Sequence, residues 1–436
     1  MALTGRLALL ALVGAMVVAA LVGGAGWSVR SALLAVDGLL VAAVLLDLAL
    51  AGSVRALQLT RAGDTRVRLG EAATVDLLVS NPGRRPVRGR LRDAWPPSAG
   101  VLEQRHLVAV PPGERRRVTS SMRPTRRGDR RAARVTVRST GPLGLAARQG
   151  SHVVPWTVRT LPPFTSRKHL PSKLARLREL DGRTAVMVRG QGTEFDSLRE
   201  YVDGDDVRSI DWRATARAGD LVVRTWRPER DRHVLIVLDT GRTAAGRVGD
   251  APRLDAAMDA ALLLAALASK AGDRVDLIAH DRLERASVVG ASSTELLHQL
   301  VQAMAPLDAS LVETDWRAVA STILRRAGHR SLVVLLTALD PAPLEEGLLP
   351  VLPLLARKHH VLLASVADPR VAELGLGRGD ADAVYGAAAA AQATAARRHL
   401  EQVLRRQGVD VVDAGPDALP PRLADAYLAL KAAGRL

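Results

Sequence analysis

The sequence predicts an α/β fold, doubly wound, at its carboxyl-terminal end, preceded by a small antiparallel β-sandwich and an N-terminal two-helix transmembrane hairpin. Three observations carry this reading. Two long apolar runs open the chain, Leu7–Gly26 and Ser31–Ala51. Short β-branched runs parted by turn residues fill residues 57–161. From His233 onward, continuous apolar runs alternate with helical patterns, as strands buried on both faces alternate with crossover helices.

The first run, "LALLALVGAMVVAALVGGAG", is twenty residues without a charge. At about 1.5 Å per residue it crosses a hydrocarbon core of roughly 30 Å. A signal peptide would show a similar run with small residues near its end. The second run begins directly after "WSVR", however, and makes residues 1–52 a helical hairpin. Arginine placement orients it: Arg30 alone lies in the turn, Arg6 precedes the first span, and Arg55, Arg61, Arg66 and Arg68 follow the second. The expectation is a multi-pass protein of the inner (cytoplasmic) cell membrane with both termini cytoplasmic. Asp47 is expected to reach the lipid headgroups. Asp37 lies deeper and has two readings, a contact with another transmembrane helix or an interfacial site within reach of Arg30.

Residues 53–163 alternate in "TVDLLVSN", "HLVAV", "RRVTSSM" and "ARVTVRS", with "NPGRRP", "PPGERR", "RRGDRR" and "TGPLG" as turns. That spacing suits a small sandwich. Its outward positions are rich in arginine. They form either a surface for anionic lipid, at about 1 kcal/mol per basic residue near the membrane, or a solvated face. The net charge of +16 rests on 56 Arg and 5 Lys, the bias of a GC-rich genome, so it weighs less as a functional signal. The absence of cysteine excludes disulfides, thiolate nucleophiles and Cys-ligated zinc. Residues 164–190 are a proline-punctuated linker, helical from Ser172.

In residues 233–436, "HVLIVLD", "RVDLIAHD", "SLVVLLT", "HVLLASVAD" and "VDVVDAG" read as strands. Helices are expected at 253–271, 294–304, 316–327 and 387–407, with another at the end of the chain. Ligands of such sheets bind at the carboxyl ends of the strands, which puts Asp239 and the "DTGRT" that it opens where chemistry would be.

Between linker and sheet, residues 191–232 differ from the rest. From Gly192 to Leu221 they hold eight carboxylates, four arginines and three of the chain's eleven aromatics. Catalysis finds little support: the stretch has no histidine, and Asp205 and Asp206 are adjacent in a turn and diverge. No H-E-x-x-H, G-x-S-x-G or phosphate-loop pattern occurs in the chain. The stretch is net acidic and would repel phosphate, so no nucleic acid is expected as a partner. Two compatible readings remain, a brace between domains and a docking surface for a partner protein. In the first, Arg199, Asp205, Arg208 and Asp211 form one ion-pair network against the α/β domain, anchored by Phe195, Leu198, Tyr201, Ile210 and Trp212, with Trp212 packed beneath. In the second, Glu194 and Asp206 stay exposed and face the partner.

The stretch resembles the signature of the bacterial family called domain of unknown function 58. Gly192, Glu194, Phe195, Leu198, Arg199, Tyr201, Gly204, Asp205, Arg208, Ile210, Asp211, Trp212, Ala216 and Arg217 fall on its pattern, and Arg213 stands where lysine is usual. "PTRRGDRR" and "GPLGL" are further landmarks. The resemblance implies an α/β domain similar to von Willebrand factor type A. It also implies association with an AAA+ ATPase of the MoxR type, in assembly or maturation of envelope or metal-dependent complexes. Type A domains often hold magnesium through D-x-S-x-S, a threonine of a second loop and an aspartate of a third. Here Asp239, Thr243 and Thr314 match, but Gly241 replaces a serine and Ala338 replaces the aspartate, with Asp340 two residues on. The expectation is a degenerate site: weak magnesium at most, no other cofactor, or a vestigial pocket in which Asp239 pairs with an arginine. The functional expectation is a membrane-anchored cytosolic scaffold or adaptor, not an enzyme, with membrane lipid and the ATPase as partners. A homo-oligomer stays open. The alternative is a metal-dependent hydrolase of the envelope.

Overall fold

The computed structural model describes residues 2–187, 194–203, 205–227 and 232–436, leaving aside the side chains of 181–187, 194–196 and 225–227. The chain divides into two compact units, residues 1–161 and 162–436.

The first unit opens with helices α1 (Gly5–Gly24) and α2 (Val29–Leu50), each long and apolar enough to cross a membrane. They pack closely at Gly14, where a Cβ would come within 2.9 Å of Val36. Asp37 is exposed, with no ionic partner among the described residues. The β portion forms three small sheets. One runs in the order Ala2–Leu3, Ala146–Val153, Arg134–Thr140, Val87–Asp93 and Arg105–Val110, antiparallel throughout. The second joins Gln58–Gly63, Ala73–Ser80 and Arg115–Met122, also antiparallel. In the third, Thr157–Leu161 pairs antiparallel with Gly128–Arg131 but parallel with Arg66–Arg68, a pairing that local alternation does not encode. Strand alternation turns Leu77, Val79, Val87, Leu91, Val135 and Val137 into one apolar core.

Two charged residues in this unit, Arg61 and Asp47, depart from the sequence expectation. Arg61, counted above among the cytoplasmic arginines, is not available to lipid. It forks onto Asp93 at 2.6 and 3.1 Å, and the two side chains are 1% and 0% exposed. Trp95 Nε1 and Ser120 Oγ donate to the same carboxylate at 3.0 and 2.9 Å, and the guanidinium lies 5.0 Å from the Trp95 ring centroid. Asp47 does not reach headgroups either. It is fully buried and accepts three backbone N–H groups, from Leu143 (2.7 Å), Leu145 (2.7 Å) and Ala146 (2.9 Å). A Cβ on Gly141 would fall 2.2 Å from its Oδ1, so the "GPLGL" landmark is the loop that wraps this carboxylate. Thr4 Oγ1 donates to the carbonyl of Gly144 in the same loop, and Arg148 Nε to that of Leu48. Both helices are thereby tied to the β portion.

The second unit is mixed α/β. Its six-stranded sheet comprises β1 (His233–Asp239), β2 (Arg274–His280), β3 (Glu284–Val288), β4 (Leu332–Leu336), β5 (His360–Val366) and β6 (Asp410–Ala414). The order is β3-β2-β1-β4-β5-β6, parallel except for β3 against β2. That is the doubly wound arrangement, with its switch point between β1 and β4. The edge strand β3 is polar and was not distinguished from a loop in the sequence. The crossover helix Arg253–Lys270 is buried along most of its length, as an apolar stretch too short for a membrane should be. Before the sheet, Thr165 and Ser166 hold Asp259 of that helix, and Lys173 and Arg176 of the helix Leu170–Met187 pair with Asp425.

Candidate functional site

The register of the sheet sets Asp239 beside His280 of β2 and level with Thr337, the residue that follows β4. Three hydroxyls converge on its carboxylate. Thr314 donates to Oδ1 at 2.5 Å, while Thr337 and Thr243 donate to Oδ2 at 2.6 and 3.1 Å. The N–H of Gly241 adds a fourth bond to Oδ1 at 2.8 Å. The loop carrying Thr314 is stitched to this turn by backbone bonds from Ser310 to Thr240 and from Arg242 to Val312. Asp281, after β2, braces the same corner. Burial pushes its carboxyl up, but hydrogen bonds from Arg285, the Leu283 and Arg282 amides and Ser310 outweigh this and bring it down to about 2.

The structure thus brings together Asp239, Thr243 and Thr314, adds Thr337, and corrects the expected arginine pairing. Arg242 turns away to Glu313 at 2.6 Å, and Asp340 pairs with Arg253 at 3.3 Å instead of swinging inward. The reason is geometric. The position of a Cβ on Gly241 lies 2.2 Å from Thr314 Oγ1, so the space that a serine would need is filled by the threonine. What results is one carboxylate fully supplied with neutral donors. Magnesium takes hard oxygen ligands in an octahedron and keeps several waters; the carboxylate and its three hydroxyls are hard oxygens, but all three hydroxyls are turned to donate to Asp239. Among the described residues no three His, Asp or Glu side chains gather at metal-binding distance. An open cavity of about 420 Å³ adjoins the turn, lined by Arg242, Thr243, Arg253, Asp340 and Pro341.

At the opposite, amino-terminal edge, His233 lies between Ser331 (3.0 Å) and Asp276 (2.8 Å). The arrangement has the residue types of a catalytic triad. Ser331 is buried, however, and its hydroxyl also contacts the His329 carbonyl, so it is not open to a substrate.

The signature stretch folds as a two-stranded hairpin, Glu194–Glu200 against Val222–Arg227, with the short helix Trp212–Ala218 between them. Its charges form two separate clusters, not one network. Arg199 pairs with Asp205 at 2.6 Å, which raises the guanidinium pKa and lowers that of the carboxyl, the Val202 amide adding to the latter. Asp211 caps the short helix through the Arg213 and Ala214 amides and pairs with Arg224 at 2.7 Å; the Ala214 bond first, then Arg224, lowers its pKa. Arg208 and Arg217 have no acidic partner among the described residues, and Asp206 spends its side chain on the Arg208 amide. Trp212 is 66% exposed, not packed beneath the segment. Leu198, Val202, Val207 and Leu221 are exposed with it, whereas Val222 and Val223 are buried and Tyr201 and Ile210 partly so. The side chains of Glu194 and Phe195, and all of Gly192 and Gly204, lie outside the described residues. Sequence reasoning missed Arg224 and Thr337. Arg224 lies outside the acidic stretch, and Thr337 ends the run "SLVVLLT", whose pattern points to a strand and not to a ligand.

Fold and site together define a class: an α/β protein with a threonine-bound carboxylate at the switch point of a doubly wound sheet, a charged hairpin arm before it, and two apolar helices at the amino end. Residues 197–410 match the family model described as "Protein of unknown function DUF58". The uncharacterized proteins Rv1480 of Mycobacterium tuberculosis and Mb1516 of Mycobacterium bovis are each 28% identical over 197 residues, 45% of this chain. The matched region spans 61% of the length of these curated relatives. Among solved structures, the CARDB domain of the PF1109 protein from Pyrococcus furiosus overlaps 24% of this chain and 86% of its own, at 20% identity and a TM-score of 0.19.

Proposed function

We propose that the chain is a membrane-anchored cytosolic scaffold whose hairpin arm docks a partner protein. The observation that carries this is the exposed apolar set Leu198, Val202, Val207 and Trp212, on a segment where Arg199 pairs with Asp205 and Asp211 with Arg224. Water-exposed tryptophan flanked by oriented ion pairs is the composition of an interaction hot spot. On the family resemblance, the partner we propose is an AAA+ ATPase of the MoxR type. The strand order with one antiparallel edge strand supports the likeness of the sheet to von Willebrand factor type A. Arg55, Arg66 and Arg68 after α2, without Arg61, support cytoplasmic termini. Ala338 in the third-loop position, and Asp340 held by Arg253 instead of by the turn, favour a scaffold over a metal-dependent hydrolase.

The test places a photo-crosslinking amino acid at Val207, beside Trp212, in the full chain in its native membrane. The expected result is a discrete adduct with an AAA+ ATPase that is lost on Trp212→Ala. Adducts with lipid alone, or an ATPase adduct indifferent to Trp212→Ala, would overturn the docking role.

A further inference from the structure

Strand β6 ends the sheet, and among the described residues nothing pairs with its outer edge. An open edge is a template for another strand, and proteins ordinarily cover or blunt it. Here a cavity of about 530 Å³ lies along Val411, Val412 and Asp413 instead. Its walls come from the loop after β5, the helix Ala381–Arg406, the final helix Leu419–Ala432 and the start of the first crossover helix.

The charges of this cavity are unevenly matched. Five arginines line it, at 253, 397, 398, 405 and 422, against Asp368, Glu401 and Asp413. Each acid is already engaged. Asp413 takes both arms of Arg397, at 2.6 and 3.1 Å, Glu401 takes Arg405 at 2.6 Å, and Asp368 caps the helix that follows it. Arg398 and Arg422, on two different helices, are exposed and meet no acidic group among the described residues. The Nε of Arg253 is buried without a hydrogen-bond partner. Guanidinium groups placed in this way recognise carboxylates by paired hydrogen bonds. Between them, Val371, Ala372 and Val411 offer apolar lining.

We propose that this edge binds an extended acidic peptide, which adds a strand to β6 and sets its carboxylates on Arg398 and Arg422. Main-chain bonds along the edge supply affinity, and side chains on both faces of the added strand supply selectivity: on the face toward the helix Ala381–Arg406 an acid meets Arg398 beside apolar contacts to Val371 and Val411, and on the face toward the final helix an acid meets Arg422. The proposal rests on the edge, the cavity and the charge imbalance, and stands apart from docking by the hairpin arm.

The experiment uses the full chain in detergent micelles and a labelled peptide of about eight residues, the length of an ordinary strand, built of Glu-Glu and Val-Val pairs in turn so that both faces carry acids. Fluorescence anisotropy should show saturable binding. Arg398→Glu and Arg422→Glu should each weaken it roughly tenfold, the scale of one lost charge-assisted contact. A version of the peptide N-methylated at alternate residues should bind far more weakly, because it cannot complete the strand ladder. Both arginines are exposed and have no acidic partner among the described residues, so the variants should keep the wild-type circular dichroism spectrum. The proposal is overturned if the peptide does not bind, if a Lys–Val peptide binds equally well, if the double arginine variant retains full affinity, or if N-methylation has no effect.

Discussion

Asp93 and Asp47 in the first unit, and Asp205 and Asp211 in the hairpin arm, are all carboxylates held by arginine or by backbone N–H groups. Asp93 and Asp47 are sealed from water, and every oxygen lone pair that matters is used inside the fold. Asp205 and Asp211 make bonds of the same length at a surface that water reaches. Bond length does not separate the two sets; burial does. A charge that has left water depends wholly on its partner, whereas one still in water loses little when the partner goes. Charged landmark motifs therefore mean different things in the two regions: an internal fastening in the first, an exposed face in the second.

Arg61→Ala should have the largest effect, because it strands Asp93 in a sealed core. A loss of about 3–5 kcal/mol is expected, read as a steep fall in the melting temperature of the detergent-solubilised chain. An unchanged melting temperature would remove the basis of the comparison. Next is Asp47→Asn, which keeps one acceptor oxygen and deprives the "GPLGL" loop of the other. Each buried N–H left unpaired costs about 1–3 kcal/mol. Hydrogen exchange at Leu143, Leu145 and Ala146 should accelerate; unaltered exchange would mean that the carboxylate does not fasten the loop.

Asp281 tests whether burial, rather than the choice of unit, makes the difference, since it is buried within the second unit. Its folded pKa of about 2 lies below the ordinary 3.8. The unfolded chain thus takes up this proton first, and the stability contributed above 3.8 drains away as the pH falls from about 3.8 toward 2. The loss amounts to roughly 2 kcal/mol. Acid unfolding curves should be flatter across that window in Asp281→Asn than in the wild type, and equal slopes would contradict the assignment. The smallest effects belong to the arm. Arg208→Ala should leave the melting temperature unchanged. Asp211→Ala should lower it more than Arg224→Ala, because it removes a helix cap as well as an ion pair. A large drop for Arg208→Ala would restore the idea of a buried brace.

Much of the architecture was legible in the sequence because it depends on neighbours along the chain. The apolar lengths of α1 and α2, the β-branched alternation of Ala73–Ser80 and Arg134–Thr140, and the unbroken runs of β1, β4 and β5 report their own burial. Asp239 was legible by position, at the carboxyl end of the first buried strand, and Thr243 and Thr314 only through the resemblance to type A domains. The polar strand β3 was not legible, because an edge strand facing water carries no apolar period.

What tertiary structure alone decided is the fate of individual charges. Asp47 meets its partners 96 to 99 residues later, Arg61 meets Asp93 32 residues away, and Thr314 and Thr337 reach Asp239 across 75 and 98. Sequence pattern determined which segments become helices and strands, since that choice follows from local periodicity and the burial of apolar faces. It could not tell a fastened carboxylate from an exposed one, or place Trp212 in water, because both depend on the electrostatics and packing of atoms that only folding brings near.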